Sequence, residues 1–558
     1  MTSGSLDIDA VNDLRALALR FGGEHLERKV RALAAVATCE LTDAAVLVAY
    51  HDCLLCLLAY PETRALRDKA RTELNRVAVA ARGIFAAGRA RERARLANSG
   101  IAYTDVTINF GWDIARWLVA RFPNRAEIDS FGEHGAAPQA VLGEALAPME
   151  FELAASAATP LEFITEASAG SRGTRLAWLT RAFERLPCSD ALRGQLFDSL
   201  QPFIVIRPGR SMLSPTCVRG LPAPTFFHRD GLQRQIDLPA LLDLPLPAPR
   251  RLAAAGRQHV VDAGRAMLAA LGRETDAIAL ACPEEVRHYE LGRGLAIALY
   301  PMRPERRSPL DSHIGMMLFK NGVPVGYGGG WPLLGTCKIG VNVFAPFRGG
   351  ESALLFAQVL RVYRQCFAVG RFVAEPSQFG GTNKEGLQSG AFWFYDRLGF
   401  RPIDPPAARR AALAWARIEA DPRHRTPIAE LRRFTGSDIE LVLDDVPHCE
   451  PGHLSEIVTR WIGRRFGGDR TAAEEAATRS VARALTVQDQ ERWPENERRA
   501  FRSLAPLVAQ IPDLAGFAPG DKRALVSLLR AKGSDEFRFH ARLARHRRFR
   551  AALARLQP

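Results

Sequence analysis

Apolar residues recur three and four positions apart from Asp7 to Ser199. This spacing is typical of amphipathic helices, because it places the apolar side chains on one face. We therefore expect an all-α region there, within a mainly helical domain that covers residues 1–236. Residues 203–227 contain more proline, serine and β-branched residues, which indicates short strands or extended loops.

A cluster of prolines follows this region. Four prolines fall within the thirteen residues from Asp237 to Pro249. Proline lacks a backbone donor and fixes φ, so this density disfavours a helix or an inner strand. We expect a Pro-rich linker over residues 237–250.

The pattern changes in the middle of the chain, where strand-like runs alternate with helical periodicity. After a helical stretch that ends near Ala281, Asn321-Gly322 lies between two strand-like runs and favours a type I′ hairpin turn. We expect a mixed α/β domain over residues 251–405 and a helical region with a basic end over residues 406–558. In the α/β domain the expected strands are 294–300, 312–320, 323–328, 337–344, 371–375 and the short extended segment 400–403, and the expected helices are 352–367 and 390–398.

The composition is that of a globular protein, with 47% apolar and 24% charged residues. The nine cysteines are an odd number without regular spacing, which is typical of free thiols in a reducing compartment. A basic segment followed by an apolar one is missing at the start, and His51 and Asp52 interrupt the longest apolar run. We therefore expect a cytoplasmic protein of bacterial type with no membrane span.

The net charge of +14 permits attraction to nucleic acid. However, only seven of the 75 basic residues are lysine, a bias that often reflects nucleotide composition, so nucleic acid is the less favoured partner. Basic residues are concentrated only at the end, over Arg538–Leu556. There we expect an amphipathic terminal helix whose apolar contacts are Phe539, Leu543, Phe549 and Leu553.

Two groups of residues have the spacing of metal ligands. Cys53 and Cys56 lie in an apolar helical run without a second cysteine pair, so they are predicted to be core residues. His448, Cys449 and His453 form an equally incomplete set. We expect no metal.

The candidate chemistry lies at Arg348-Gly349-Gly350, between the strand that ends at Phe344 and the helix that starts near Ser352. A helix that begins after such a turn presents unpaired N–H groups and about half a positive charge, which suits a phosphate. Alternatively, the glycines only allow the chain to reverse direction.

Together with its surroundings, this turn resembles the GNAT superfamily of acyl-CoA-dependent N-acyltransferases. The resemblance covers about residues 291–402 and rests on Arg348-Gly-Gly-Glu351-Ser-Ala353 and on a later helix with Ala391, Tyr395, Gly399 and Phe400. It implies transfer of an acetyl or other acyl group from coenzyme A to an amine acceptor, a small molecule or a protein. It also implies that Tyr395 is the acid that protonates the leaving thiolate. The implied cofactor-binding residues are Phe344 and Ala345 for the pantetheine arm, and Arg348, Gly349, Gly350, Ser352 and Ala353 for the pyrophosphate.

Three positions depart from the family pattern. Glu351 replaces a glycine; its carboxylate could repel the pyrophosphate, point outward and stabilise the helix dipole, or occupy the anion site itself. Gln388 replaces an asparagine, with Asn383 nearby, and the interval after Tyr300 is too short for two helices that shape the acceptor site.

A general base is less evident. Glu375, at the end of its strand, is our prediction, with His313 or a water relay as alternatives. The glycines before Trp331 could let that residue fold over the acceptor channel, or they could end the strand.

Two other functions stay open from the sequence. A degenerate form of this fold with long helical arms could bind a protein or a nucleic acid without catalysis. An enzyme of this fold could also use an aminoacyl carrier as its donor.

Overall fold

The structure is a computed structural model that describes residues 4–421, 423–446 and 449–556. The N-terminal part is mainly helical, and the predicted periodicity is confirmed for most of it. Its helices are α1 (Ile8–Ala18), α2 (Gly23–Ala37), α3 (Ala44–Ala59), α4 (Arg64–Ala86), α5 (Ala90–Leu96), α6 (Trp112–Arg121), α7 (Pro138–Leu142), α8 (Pro148–Ala154), α9 (Pro160–Ala167), α10 (Arg175–Glu184) and α11 (Asp190–Ser199).

This part also contains a three-stranded antiparallel sheet, so the expectation of an all-α region over Asp7–Ser199 is wrong. The strands are β1 (Val106–Asn109), β2 (Ala126–Phe131) and β3 (Pro202–Ile206), in the order β1-β3-β2. The strand in the segment 203–227 agrees with the prediction. Pairing across about a hundred residues stabilises β1, which four residues of sequence do not reveal.

The predicted linker is a packed segment rather than a free connection. It contains the helix α12 (Leu238–Asp243), and the Asp237 side chain caps it by accepting from the Ala240 N–H. A proline in the first turn costs no hydrogen bond, which is why the proline argument against a helix was wrong here.

The central part is a mixed α/β structure, as predicted. Asn321 and Gly322 both have positive φ, 47° and 77°, as the predicted hairpin turn requires. The helices of the central part are α13 (Ala254–Ala270), α14 (Asp276–Ala279), α15 (Ser352–Phe367), α16 (Lys384–Ser389) and α17 (Ala391–Asp396). Its strands are β4 (Arg287–Glu290), β5 (Leu295–Pro301), β6 (Ile314–Lys320), β7 (Val323–Leu333), β8 (Thr336–Val343), β9 (Arg371–Ala374) and β10 (Arg401–Pro402).

The C-terminal part is helical except for one strand, so the expectation of helices throughout residues 406–558 is wrong at that strand. β11 (Ile439–Val442) inserts between β9 and β10. The helices are α18 (Pro405–Ala420), α19 (Ile428–Phe434), α20 (Pro451–Phe466), α21 (Arg470–Ala484), α22 (Glu495–Val508), α23 (Pro519–Lys532), α24 (Glu536–Arg545) and α25 (Arg547–Leu556).

Eight strands form the main sheet in the order β10-β11-β9-β8-β7-β6-β5-β4. Among the strands of the described chain, β8 and β9 are the pair that run parallel, and α15 connects them. They pair only at their starts, where Thr336–Lys338 lies opposite Arg371–Val373. β9 ends at Ala374, whereas β8 continues to Val343, which leaves a gap in the sheet beside the second half of β8.

The glycines of β7 do not end that strand, which continues through Trp331 to Leu333. A Cβ on Gly330 would meet the Tyr363 ring of α15 at 2.5 Å, and one on Gly328 would meet the Gly340 carbonyl oxygen of β8 at 2.1 Å. The glycines therefore allow close packing across the middle of the sheet.

The buried apolar side chains form two main clusters. The larger one, here called the main core, extends from Leu6 to Leu441 and includes Phe537. The second fills the C-terminal helices and contains the four apolar contacts predicted for the basic end, Phe539, Leu543, Phe549 and Leu553. The predicted domain boundaries stay a prediction.

A buried polar cluster joins the C-terminal helices to the sheet. Ser312, just before β6, donates from Oγ to Glu536 Oε2 at 2.7 Å. Lys532 Nζ donates to the same hydroxyl at 2.8 Å, and His540 Nε2 lies 2.9 Å from it. Each polar group thus has a partner, which makes its burial tolerable.

None of the helices in the described residues has the length and apolar character needed to cross a bilayer. All nine cysteines are free thiols, and burial of Cys53 and Cys56 confirms them as core residues. Among the described residues, no three histidine, cysteine or acidic side chains are grouped as metal ligands; His448 lies outside those residues.

Candidate functional site

The turn between β8 and α15 uses its two glycines for different reasons. Gly349 has φ of +80°, a conformation that favours glycine. A Cβ on Gly350 would meet the Tyr60 hydroxyl at 3.1 Å, so this glycine permits close approach of the N-terminal helices. The glycines therefore have a structural role whether or not a phosphate binds here.

Glu351 points into the protein and is fully buried, so the expectation that its side chain could point outward is wrong. Its Oε2 accepts from Lys320 Nζ at 2.7 Å, and its Oε1 accepts from Arg293 at 2.6 Å and from the Gln233 N–H at 2.9 Å. The His228 ring lies next to the same carboxylate, with Nε2 at 3.7 Å. We call Glu351, Lys320, Arg293 and His228 the buried charge cluster.

The ionisation of the cluster follows from its burial and its pairing. Burial alone raises the pKa of the Glu351 carboxyl, but His228, Lys320 and the Gln233 N–H outweigh that effect and hold the pKa well below its usual range. Burial lowers the pKa of Lys320 to about 8 and also lowers that of His228. At neutral pH the cluster therefore contains one carboxylate, two cations and a neutral imidazole.

With Glu351 turned inward, the first turn of α15 has no side-chain cap among the described residues. This turn borders a cleft of about 1160 Å³, here called the α15 cleft. Four of the predicted cofactor-binding residues line it: Gly349, Gly350, Ser352 and Ala353. The unpaired N–H groups and the helix dipole make this end of the cleft suitable for an anion.

The other three predicted cofactor-binding residues do not contribute to the wall of this cleft. Phe344 is buried and stacks on Tyr327, with ring centroids 5.6 Å apart, while Ala345 is exposed in the turn. Arg348 forms an ion pair with Glu385, and its Nε donates to the Val343 carbonyl at 3.0 Å. Arg348 is therefore already paired within the protein.

Sequence reasoning missed the basic and aromatic wall of the α15 cleft. Arg234, Arg397 and Arg425 line it, and Trp393 and Phe394 of α17 add aromatic surface. Arg397 follows Phe394 by three residues, so helical spacing could have placed these two on one face. Arg234 and Arg425 come from segments far away in sequence, so no local pattern marks them.

Tyr395 lies in an aromatic part of the main core. It is 2% exposed, and its ring contacts Phe356, Phe379, Phe394 and Phe400 at centroid distances of 5.4 to 6.3 Å. Its hydroxyl makes no hydrogen bond to any described residue, and burial raises its pKa well above the usual range. The phenol is therefore neutral at pH 7 and is a weaker acid than an exposed tyrosine, and its role as the acid stays a prediction.

A second cavity, of about 350 Å³, lies beside β8 where β9 ends. Trp331 and Lys338, which face each other across β7 and β8, contribute to its wall. Because side chains alternate along a strand, these two point away from the face that Cys337 and Gly330 share with α15. The cavity therefore opens on the side of the sheet opposite α15, and we call it the opposite cavity.

The predicted base lies in this cavity, and its alternative lies behind the cavity wall. Glu375 is exposed and accepts from Lys338 Nζ at 3.2 Å, and Glu450 lies 3.5 Å from the same ammonium. His313 stacks on Trp331 with ring centroids 4.1 Å apart, and burial lowers its pKa to about 4. His313 is therefore neutral at pH 7.

The Gln378 side chain packs over the face of β8 that borders the opposite cavity. A Cβ on Gly340 would lie 2.6 Å from Oε1 of Gln378, which follows β9. Because Gly340 and Lys338 lie on the same face of β8, Gln378 lies on the side of the opposite cavity and contributes to its wall. A ligand in the opposite cavity would therefore contact this side chain.

Comparisons with known proteins add nothing to this geometry. No protein-family model matches the chain, and neither the curated proteins nor the solved structures contain a significant match.

Proposed function

We propose that the protein is an N-acyltransferase that moves an acetyl or other acyl group from a coenzyme A thioester to an amine. The observation that carries this proposal is the parallel pair β8 and β9, in which β9 ends at Ala374 and leaves the second half of β8 without a strand on that side. The helix start that follows β8 borders a basic cleft, and a cavity with a carboxylate lies on the other face. Donor and acceptor would approach from the two faces and meet in the gap.

The α15 cleft suits the phosphate end of coenzyme A. The N–H groups of the first turn of α15 would donate to the pyrophosphate, and Arg234, Arg397 and Arg425 would add positive charge around it. The inward orientation of Glu351 supports this assignment, because its carboxylate is already neutralised by Lys320 and Arg293. The expected repulsion of the pyrophosphate is then largely cancelled.

The reaction needs a base for the amine and an acid for the thiol. The amine nitrogen attacks the thioester carbon, and the C–S bond breaks when the tetrahedral intermediate collapses. Glu375, or His313 through water, would accept the proton that the nitrogen loses. Tyr395 would donate a proton to the thiolate as the C–S bond breaks.

One specific observation favours a second function, that of a non-catalytic protein that binds a protein or nucleic-acid partner. Gln378 packs on Gly340 of β8 in the opposite cavity, next to the place where donor and acceptor would meet. If it stays there, the fold binds a protein or nucleic-acid partner without catalysis. A salt series tests the nucleic-acid case, because binding to phosphates along a backbone weakens steeply as salt rises.

Isothermal titration with acetyl-CoA and with desulfo-CoA tests the main proposal without knowledge of the acceptor. We expect saturable binding of both, with a preference for the thioester. Binding only at millimolar ligand, or no binding at all, would exclude the acyltransferase proposal and favour the non-catalytic interaction protein. Acetyl-CoA binding should also change only modestly with salt, since few phosphates are involved.

A further inference from the structure

A third cleft lies among the C-terminal helices, away from the sheet. It has a volume of about 500 Å³, within the usual range for ligand sites. Helices α22, α23 and α24 and the segment 485–488 form its walls. We call it the arginine cleft, because four arginines line it: Arg523, Arg530, Arg538 and Arg542.

Helical spacing brings these arginines together. Arg523, Ser527 and Arg530 are separated by four and three residues on α23, so they share one face. Arg538 and Arg542 are four residues apart on α24, which packs against α23. The arginines near the end of the sequence are therefore grouped around one cleft and are not spread evenly over the surface.

The protein neutralises this positive charge only in part. Arg530 forms an ion pair with Glu497 at 2.6 Å and lies over the Trp493 ring, and Arg538 lies 3.8 Å from Asp535. Within the described part of the chain, Arg523 and Arg542 have no carboxylate within 4.0 Å. Arg542 instead donates to the Ser527 carbonyl at 2.6 Å, which fixes its guanidinium but does not neutralise it.

Like charges around one cleft repel each other, so an anion between them would be favourable. The planar guanidinium donates two parallel hydrogen bonds to a phosphate, which makes arginine the preferred residue for phosphate groups. One phosphate accommodates about two such groups, whereas four guanidiniums suit a ligand with two or more phosphates. The Ser527 hydroxyl supplies a further donor in the same walls, whereas those of Ser534 and Thr486 already donate to the Arg530 and Leu485 carbonyls.

We propose that the arginine cleft binds a small molecule with at least two linked phosphate groups, separately from any coenzyme A in the α15 cleft. The ligand is held by Arg523, Arg530, Arg538 and Arg542. This site does not depend on the acyltransferase proposal, because it shares no residue with the α15 cleft.

The test is isothermal titration of the full chain with inorganic pyrophosphate, with sulfate at equal ionic strength as the reference. We expect pyrophosphate to bind at one site in this cleft and sulfate to bind much more weakly. The variant Arg523→Gln with Arg538→Gln should weaken pyrophosphate binding about tenfold or more, since it removes two charge-assisted contacts. Both side chains are exposed, so the variant should fold normally.

Two controls identify the site. Arg545→Gln with Arg547→Gln removes the same charge from exposed positions outside the cleft and should leave pyrophosphate affinity within about twofold. Arg397→Gln removes one positive charge from the α15 cleft. Any binding heat that this variant loses therefore comes from pyrophosphate bound in the α15 cleft.

Two results would overturn the proposal. One is equal loss of affinity in both double variants, which would show only a general effect of net charge. The other is binding of a single-stranded oligonucleotide without binding of pyrophosphate, which would indicate a nucleic-acid surface instead.

Discussion

The carboxylate of Glu351 lies 2.7 Å from the ammonium of Lys320, and both side chains are fully excluded from solvent. A buried pair of this kind stabilises little by itself, but loss of one partner leaves an uncompensated charge in the interior. The same carboxylate also holds Arg293 and the Gln233 N–H, so it connects the sheet, α15 and the segment before α12. Glu351 is thus a structural residue at the edge of the proposed site.

We expect Glu351→Gln to destabilise the protein by about 3 to 5 kcal/mol, because Lys320 and Arg293 would lose their common carboxylate. Urea unfolding measures this change. Glu385→Gln is the matched control, since it breaks the exposed ion pair with Arg348 and should cost less than about 1 kcal/mol. Equal costs for the two variants would show that the buried charge cluster does not stabilise the fold.

The start of α15 allows stability and ligand affinity to be separated. Ala353→Asp places a carboxylate in the first helical turn, where it interacts favourably with the helix dipole. The same charge would lie about 5 Å from a bound pyrophosphate and weaken acetyl-CoA binding roughly a hundredfold, at about 3 kcal/mol.

Ala353→Asn is the control for Ala353→Asp, because it has nearly the same shape without the charge. Titration calorimetry and thermal unfolding of the two variants give both quantities. If acetyl-CoA binds both with equal affinity, the phosphates do not lie at this helix start.

The role of Tyr395 can be tested by removing one oxygen atom. Tyr395→Phe should lower turnover by roughly 10² to 10⁴ if the phenol protonates the leaving thiolate. Its hydroxyl has no hydrogen-bond partner among the described residues, so the unfolding free energy should change little. The measurement is the release of free thiol with an amine found by screening; unchanged turnover would exclude the acid role.

Buried histidines should make the protein sensitive to mild acid. Burial lowers the pKa of His288 from 6.5 to about 4, and its side chain is 3% exposed. Between these two pH values the unfolded chain binds a proton that the folded chain does not, so stability falls as the pH falls from about 6.5 to about 4. The contribution of this one residue is on the order of 3 kcal/mol across that range.

His288→Met tests this, since it keeps an apolar side chain of similar length and removes the titration. Urea unfolding at pH 7, 6, 5 and 4 should show a shallower pH dependence in the variant than in the parent protein. Parallel curves would contradict the assignment of acid sensitivity to His288.

Local sequence patterns predicted the elements whose stabilising contacts are close in sequence. The helix over Ser352–Phe367 follows from its apolar spacing, and the hairpin turn follows from Asn321-Gly322. By contrast, β11 has only four residues, and its pairing with β9 brings Ile439 opposite Ala374. No pattern within Ile439–Val442 indicates that partner, so the strand was missed.

In the candidate site, too, only the features that depend on nearby residues could be predicted from the sequence. The position of the helix start at Ser352 could be predicted, but the direction of the Glu351 side chain could not. Its partners Lys320, Arg293 and His228 lie between 31 and 123 residues earlier in the chain. Arg234 and Arg425 reach the α15 cleft from similarly distant segments. These features arise from tertiary packing and leave no local signal.

The residues of the Ser312–Glu536 contact are 224 positions apart, so Ser312 is synthesised long before its partner. The sheet leaves the ribosome long before α24, and until then Ser312 has neither Glu536 nor Lys532 as a partner. The Phe367 ring, on which Phe537 stacks at 5.4 Å, is uncovered during the same interval. We therefore expect nascent chains, and chains that end prematurely before α24, to expose an apolar patch that chaperones and proteases recognise.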